Sequence, residues 1–122
     1  MVAIFARTLL DGKPATIHDD GEQTRDFVFV DDVVRANLLA ADRRVEGAVN
    51  IGTGQGTSVN TIYRTLARLI GTTAGPVYGP PRPGDIRHIT LASGTARDLL
   101  GWTPATSLDA GLAATVEWFV RQ

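Results

Sequence analysis

The chain has 122 residues, of which 43% are hydrophobic and 20% charged, which predicts one folded domain over residues 1–122. Its formal net charge of −1 argues against a nucleic-acid partner or an anionic membrane surface. There is no cysteine, and neither His18 nor His88 has a partner at metal-ligand spacing, so we expect no metal site. The apolar run 4–10 is too short for a signal peptide or a membrane span, which predicts a cytoplasmic protein.

Two helices and three short extended segments are predicted in the first half of the chain. In chain order they are a helix over residues 1–10, strands over 15–17 and 25–30, a helix to about Arg43, and a strand over 48–51. The polar stretch 18–24 is expected to be a loop. Asp31 and Asp32 are placed to act as the N-cap and the first-turn acids of the second helix.

The second half of the chain predicts three helices and little regular strand. In chain order we expect a glycine loop over 52–57, a helix capped by Ser58, a possible strand at Val77-Tyr78, an extended stretch over 86–91, a short helix ending at Gly101 and a last helix from Ser107. The buried stripes of the two long helices are Val59, Ile62, Leu66, Leu69 and Ile70, and then Leu108, Leu112, Val116 and Phe119. The predicted class is therefore α/β, with strands too few and short for a complete central sheet.

The glycine loop lies where a dinucleotide fingerprint would lie, after a predicted strand and before a helix. Its glycines are spaced G-x-G-x-G, whereas the fingerprint G-x-G-x-x-G requires a glycine at Thr57. No second apolar strand that ends in an acidic residue follows about 20 residues later. We therefore expect a tight strand-to-helix turn with free N–H groups at the helix N-terminus, and no cofactor-binding residue.

Two arginine-containing segments are candidates for ligand contact. Arg25 follows a flexible polar loop and could point into a cleft, although a structural pair with Asp26 is an equally good interpretation. In the segment Arg82-Pro83-Gly84-Asp85, the central Pro-Gly pair shapes a turn that a ligand can approach closely. Arg82 could bind a diphosphate and Asp85 could accept hydrogen bonds from ribose hydroxyls. An ordinary surface turn is the alternative.

The sequence contains no tyrosine and lysine one helical turn apart. In short-chain dehydrogenase chemistry, the lysine of such a pair lowers the pKa of the tyrosine, whose phenolate then removes a hydroxyl proton. Lys13 is the only lysine, and Leu9 stands four residues before it. Neither Tyr63 nor Tyr78 is followed by a lysine, so we expect no catalytic residue of this kind.

Four segments taken together resemble a known family. They are GEQTRDFVFVDDVVRANLLA, VNIGTGQGTSVNTIYRTLARLIG, PRPGDIRHITLASGTARDLLGWTP and SLDAGLAATVEWF, in that order. They resemble the C-terminal portion of the extended short-chain dehydrogenase/reductases, the NAD-dependent epimerase/dehydratases, and within these the enzymes like UDP-glucose 4-epimerase. The resemblance covers nearly all of the chain. It implies a partial extended short-chain dehydrogenase fold, the substrate-binding C-terminal part, without a complete Rossmann domain.

The resemblance implies a substrate-binding role for five residues. In the family, the arginines of the RDF and RxGD motifs bind the nucleotide diphosphate, and these positions are Arg25 and Arg82 here. The acid of the RxGD motif lies near the ribose and corresponds to Asp85. Ile17 and His18 correspond to the region near the base, where the family often has Tyr-Gly in place of His18-Asp19.

Two further motifs imply structural roles. The glycine loop after Asn50 matches an NxGxG turn of the family, which is a structural element. Trp102 and Pro104 match a GWxP motif, for which core packing is the expected role.

The family reaction is oxidation of a sugar hydroxyl by NAD+ with later return of the hydride. The family's NAD-binding βαβ unit and Tyr-x-x-x-Lys pair are absent from the sequence, so the resemblance implies that this chain alone binds no cofactor and is inactive, whereas the complete enzyme binds NAD. The first hypothesis is therefore the part of such an enzyme that binds a nucleotide-diphosphate sugar. The alternatives are a non-catalytic binding or assembly module that pairs with a separate NAD-binding half, and a ligand-free remnant that forms a homo-oligomer.

Overall fold

The computed structural model describes all 122 residues and contains five helices and four short strands. In chain order they are α1 (Val2–Leu10), β1 (Thr16–His18), β2 (Thr24–Asp26), α2 (Val30–Arg43), β3 (Gly56–Ser58), α3 (Val59–Ile70), β4 (Val77–Gly79), α4 (Gly94–Leu100) and α5 (Leu108–Val120). The strands form two separate pairs, β1 parallel to β4 and β2 antiparallel to β3. The predicted α/β class with short strands is confirmed. None of the helices combines the length and apolar character needed to cross a membrane.

The larger core lies between α1, α3 and α5, beside β1. Ile62 and Leu66 of the predicted α3 stripe are completely buried, and Leu112 and Val116 of the α5 stripe meet them. Both helices begin as the sequence predicts, because the hydroxyl groups of Ser58 and Ser107 accept hydrogen bonds from backbone N–H groups of the first turn. Periodic apolar side chains and serine caps thus determine which helix faces meet in this core.

A second, smaller core surrounds Trp102, which is completely buried beside Ala36, Ala96 and Leu100. The indole Nε1 donates a hydrogen bond of 2.8 Å to the carbonyl oxygen of Asp32. The expected packing role of the GWxP motif holds for Trp102. It is wrong for Pro104, which is exposed.

Asp32 connects α2 to the segment before α5. Its carboxylate accepts backbone hydrogen bonds from Ala105 (3.1 Å) and Thr106 (2.9 Å), and it pairs with Arg35 at 2.9 Å. Asp31 and Asp32 lie in the first turn as expected, but the N-cap of α2 is Phe29, whose side chain makes no capping hydrogen bond. The predicted acidic N-cap is therefore wrong, because α2 already begins at Val30 and both acids lie inside its first turn.

Two predicted strands are shorter than expected or absent, and the stretch predicted to be extended over 86–91 forms no strand. Residues 48–51 form no strand, because no neighbouring strand of the chain lies beside them. The predicted strand 25–30 ends at Asp26, and α2 already begins at Val30. The stretch 86–91 makes only one isolated bridge, between Thr24 and His88, and the N–H of Leu91 bonds the Asp26 carboxylate at 3.2 Å. A strand needs a partner for its ladder, which apolar residues alone do not specify.

The strand predicted over 15–17 is Thr16–His18 in the structure, one residue later. His18, assigned to a loop from the sequence, pairs with Gly79 at the end of β1. This shift directs His18 toward the cavity described below.

Acid is expected to destabilise the fold through Asp32. Burial opposes ionisation of this carboxylate, but the hydrogen bonds from Arg35, Thr106 and Ala105 outweigh it and lower its pKa. A carboxylate with a lowered pKa stabilises the fold above its unfolded-state pKa of about 3.9, and that stability is lost as the pH falls below about 4. In urea unfolding at pH 6, 4 and 3, the free energy of unfolding should fall more steeply with decreasing pH for the wild type than for Asp32→Asn. Equal pH dependence of the two proteins would contradict the assignment.

Gly21 is expected to tolerate no side chain. Its φ is +75°, and a Cβ there would lie 2.2 Å from Oδ1 of Asn60, whose amide is held by hydrogen bonds to Asp20 and Tyr78. Gly12 is a matched control, with φ +71° and nothing within 4 Å of the added Cβ. We expect Gly12→Ala to lower the free energy of unfolding by about 1 kcal/mol and Gly21→Ala by about 2–4 kcal/mol, because only the second adds overpacking to backbone strain. Similar urea midpoints for the two variants would contradict this.

Candidate functional site

The five residues predicted to contact a substrate all line one cavity of about 330 Å³. β1 contributes Ile17 and His18, β2 contributes Arg25, and the loop after β4 contributes Arg82 and Asp85. The apolar part of the wall includes Ile4, Phe5 and Val59. We call this space the arginine cavity. Its combination of an apolar wall and a few converging polar groups is typical of small-molecule sites.

Backbone pairing brings these distant segments together. The parallel pairing of β1 with β4 places Gly79 beside His18, so the loop that follows β4 starts at the end of β1. That loop turns where the N–H of Asp85 donates to the carbonyl of Arg82 at 3.1 Å, and it then runs along β2, where Thr24 N–H bonds the carbonyl of Arg87 at 2.9 Å. Asp85 therefore lies next to Arg25.

Arg25 is paired across the cavity. One guanidinium nitrogen, Nη2, donates to Oδ1 of Asp85, and the other, Nη1, donates to the carbonyl of Thr24 at 2.8 Å. The Arg25 and Asp85 side chains remain 26% and 40% exposed, respectively, so a ligand can reach both. The alternative Arg25–Asp26 pair does not form, because successive side chains of a strand point to opposite faces and Asp26 bonds the glycine loop instead.

Arg82 has an uncharged partner. Its Nη2 lies 2.9 Å from Nε2 of His18, and Nδ1 of the same imidazole lies 3.1 Å from the carbonyl oxygen of Pro80. No carboxylate lies within salt-bridge distance of Arg82, in contrast to Arg25 and Arg87. Arg82 is thus the arginine of this cavity whose charge is not compensated by an acid.

The neighbouring Arg87 is neutralised within the protein. It binds both carboxylate oxygens of Asp20 at 2.7 Å and lies 3.5 Å from Asp19. The hydrogen bonds from Arg87 lower the pKa of Asp20 to about 2, so the carboxylate stays ionised. Arg87 is therefore less suited than Arg82 to an anionic ligand.

Gln23 lines the same cavity and was missed by the sequence interpretation. Its Nε2 donates to the carbonyl of His18 at 3.0 Å, while its Oε1 is buried without a hydrogen-bond partner. A buried acceptor without a donor is rare in native structures. The signal in the sequence is its spacing two residues before Arg25, which puts both side chains on one side of an extended chain.

Comparison with known proteins supports the resemblance. The family model for the NAD dependent epimerase/dehydratase family matches residues 1–52. UDP-glucose 4-epimerase from Mycolicibacterium smegmatis is 43% identical over 98% of this chain and 38% of its own length. The crystal structure of UDP-glucose 4-epimerase with UDP-glucose from Thermotoga maritima has a TM-score of 0.92 and 48% identity, covering 98% of this chain and 39% of that one. The Thermus thermophilus UDP-glucose 4-epimerase complex with NAD has a TM-score of 0.88 and 34% identity, and the match covers 98% of this chain and 39% of that one.

Over 98% of its length, the chain matches part of the NAD-dependent epimerase/dehydratases. It spans 38% of the length of the Mycolicibacterium relative. The family recognised from the four ordered motifs is confirmed, and so is the partial α/β fold.

Similarity to this family raises the question of NAD, for which the glycine loop is the candidate within this chain. The N–H groups of Thr53 and Gly54 both bind the carboxylate of Asp26, at 2.8 and 2.9 Å, and that of Gly52 binds the Ser93 hydroxyl at 3.0 Å. Burial opposes ionisation of Asp26, but hydrogen bonds from Thr53, Leu91 and Gly54 outweigh it and lower its pKa. The protein's own carboxylate therefore occupies the position that a phosphate would take, and the loop does not fit the cofactor.

The start of α3 offers no anion site either. The N–H groups of Val59 and Asn60 bond the carbonyls of Gln23 and Gly21, at 3.2 and 3.0 Å, and the N–H of Thr61 bonds the Ser58 hydroxyl. The predicted free N–H groups are therefore wrong, and so is the direct turn from strand to helix, since β3 lies between the loop and α3. In this chain the glycine loop and the start of α3 have a structural role, because their N–H groups bond other parts of the protein. This agrees with the NxGxG resemblance.

Proposed function

We propose that this chain is the substrate-binding part of an NAD-dependent sugar epimerase or dehydratase such as UDP-glucose 4-epimerase, and that it binds the nucleotide diphosphate of the substrate. The observation that carries the proposal is the convergence of Arg25, Arg82 and Asp85 on one cavity from segments about 60 residues apart in the chain. Similarity to the family, with relatives named as UDP-glucose 4-epimerases, supports the same substrate class.

The chemistry of the arginine cavity suits a diphosphate next to hydroxyl groups. Guanidinium groups bind phosphate oxygens through paired N–H donors, and two of them can share the charge of a diphosphate. Arg82 carries an uncompensated charge, while Arg25 must exchange Asp85 for the ligand. Once released, the Asp85 carboxylate can accept hydrogen bonds from ribose hydroxyls. We assign the base to Ile17 and the other apolar residues of the cavity wall.

The proposal assigns no catalytic step to the residues of this chain. Tyr63 is buried and donates to the carbonyl of Ala74, and the hydroxyl of Tyr78 donates to Asn60, so neither phenol lines the arginine cavity. The single lysine, Lys13, is exposed and also lies outside it. Hydride transfer would therefore require NAD and a catalytic pair held by other residues of the complete enzyme.

Isothermal titration calorimetry with UDP, UDP-glucose and dTDP-glucose tests the binding proposal. We expect micromolar binding of at least one of them, measurably weakened in Arg82→Ala and unchanged in Arg68→Ala, which removes an exposed arginine paired with Asp109 outside the cavity. Absence of heat with all three compounds would overturn the proposal. An epimerase assay with added NAD should show no turnover, and clear activity would contradict the proposed inactivity of the isolated chain.

A second candidate function, an assembly module, is favoured by the surface of α2. Val30, Val34 and Leu38 recur every four residues on one face of this helix and are 62%, 48% and 67% exposed. A contiguous apolar stripe of this kind suits association with another protein surface, here a separate NAD-binding half or a second copy of the chain. Co-purification of a second polypeptide, lost in Val34→Lys, would support the module, whereas a monomer at micromolar concentration would argue against the second copy.

A further inference from the structure

We propose that His18 is a positioning residue for Arg82: its neutral imidazole accepts a hydrogen bond from the guanidinium and holds it toward the diphosphate of the ligand. This inference rests on the proposed function and replaces the expected contact of His18 with the base. Histidine stands here at a position where the resemblance leads one to expect tyrosine.

The two partners of the ring determine its protonation. The carbonyl oxygen of Pro80 can only accept, so Nδ1, 3.1 Å away, must carry the proton. The guanidinium of Arg82 can only donate, so Nε2, 2.9 Å away, must present its lone pair. Both hydrogen bonds are satisfied together only by the neutral tautomer with the proton on Nδ1. The Pro80 carbonyl thus orients the imidazole as an acceptor for Arg82.

A neutral partner leaves the charge of Arg82 available. A carboxylate at the same position would also hold the guanidinium, but it would compensate the charge, as Asp20 does for Arg87. The imidazole uses part of one guanidinium edge and adds no negative charge to a site that must receive a diphosphate. Positioning and charge are therefore both preserved in Arg82.

The position of Arg82 makes such a restraint useful. It lies in the exposed loop after β4, two residues before Gly84, whose φ is +81° and whose Cα has open space where a Cβ would stand. An arginine there loses considerable rotamer entropy when a ligand immobilises it. His18 is fixed in β1 by the pairing with Gly79. Its hydrogen bond restrains the Arg82 side chain in the free protein, so less rotamer entropy is lost when the ligand binds. We expect its removal to weaken diphosphate binding roughly tenfold.

The tautomer can be tested in the wild-type chain by nitrogen-15 NMR at mildly alkaline pH. His18 and His88 are the only histidines, so two imidazole spin systems are expected. We expect His18 to show a pyrrole-type Nδ1 and a pyridine-type Nε2, the reverse of the form that free histidine prefers. His88 is the internal reference, because its partner, the Thr24 hydroxyl 3.0 Å from Nδ1, can donate or accept. A protonated Nε2 on His18 would overturn the inference.

Binding variants separate positioning from base contact. His18→Phe keeps a ring without an acceptor, whereas His18→Gln offers a carbonyl oxygen near the position of Nε2. We expect the Phe variant to lose about tenfold in affinity for both UDP and inorganic pyrophosphate, and the Gln variant to recover part of it. In the Arg82→Ala background, His18→Phe should have no further effect, since residues that act through one contact are not additive. Additive losses would show that His18 acts independently of Arg82, and a loss for UDP alone would show contact with the base. Either result would overturn the inference.

The outcomes distinguish this inference from the function on which it rests. If the wild type binds neither UDP nor pyrophosphate, the proposed function fails, and the role of His18 in binding fails with it. If the wild type binds and the effects of His18→Phe and Arg82→Ala are additive, the function stands and only the positioning role is overturned.

Discussion

Replacement of Arg25 by leucine is expected to weaken UDP binding roughly 100-fold, which corresponds to about 2.7 kcal/mol. Arg25 is partly buried at the arginine cavity, and its guanidinium meets Asp85 where we place the diphosphate. A charge-assisted contact in a partly desolvated site contributes more than one at a fully exposed surface. The measurement is titration calorimetry of both proteins with UDP, with circular dichroism to verify folding. An unchanged affinity in a folded Arg25→Leu variant would remove Arg25 from the site.

Asp85→Asn is the matched control, because it perturbs the same ion pair from the other side. Arg25 must release Asp85 before it can bind a diphosphate, and the Asp85 carboxylate also repels the incoming anion. We therefore expect Asp85→Asn to strengthen binding of inorganic pyrophosphate a few-fold. UDP should gain less, because the variant also loses an acceptor for ribose hydroxyls. Weaker pyrophosphate binding in Asp85→Asn would show that the ion pair supports the site and does not compete with the ligand.

The largest effect on stability is expected for Trp102→Ala, about 3–5 kcal/mol. The indole is completely buried in the smaller core, and its Nε1 satisfies the carbonyl of Asp32. Its loss would leave a cavity and an acceptor without its donor between α2 and α4. Urea unfolding at neutral pH measures this difference, and a chain of this size has only about 5–15 kcal/mol in total.

Trp118→Ala is the control, since Trp118 is the only other tryptophan and is 56% exposed. Its removal should lower the free energy of unfolding by less than about 1 kcal/mol. Trp102→Phe keeps an aromatic ring but loses the hydrogen bond, so an intermediate loss is expected. Equal losses for Trp102→Ala and Trp118→Ala would mean that the smaller core does not support the fold.

The features that the sequence predicted well are those encoded by neighbouring residues. The helices α3 and α5 were predicted with their serine caps and buried stripes, because apolar spacing of three and four residues and a hydroxyl at the N-cap act locally. The strands were predicted less well. Whether residues 48–51 or 86–91 form a ladder depends on a neighbour elsewhere in the chain, and none lies beside them along their whole length.

In the candidate site, too, the residues could be predicted from the sequence but their contacts could not. The residue types of Arg25, Arg82 and Asp85, together with the ordered family motifs, were enough to select the residues that line the arginine cavity. Their partners were not predictable. The sequence left open whether Arg25 pairs with Asp26, and only the packing of the loop after β4 against β2 showed that it pairs with Asp85.

The residues alone were enough to recognise the epimerase/dehydratase resemblance, the α/β class, the helices with their buried faces and the absence of a Tyr-x-x-x-Lys pair. The tertiary structure alone decided which polar groups meet. It directs the Asp26 carboxylate into the glycine loop, leaves Oε1 of Gln23 without a donor and places His18 between Pro80 and Arg82. These two kinds of feature depend on interactions that act over different distances along the chain. Periodicity and capping act over a few residues, whereas a hydrogen bond between groups 60 residues apart exists only after backbone pairing has brought them within about 3 Å.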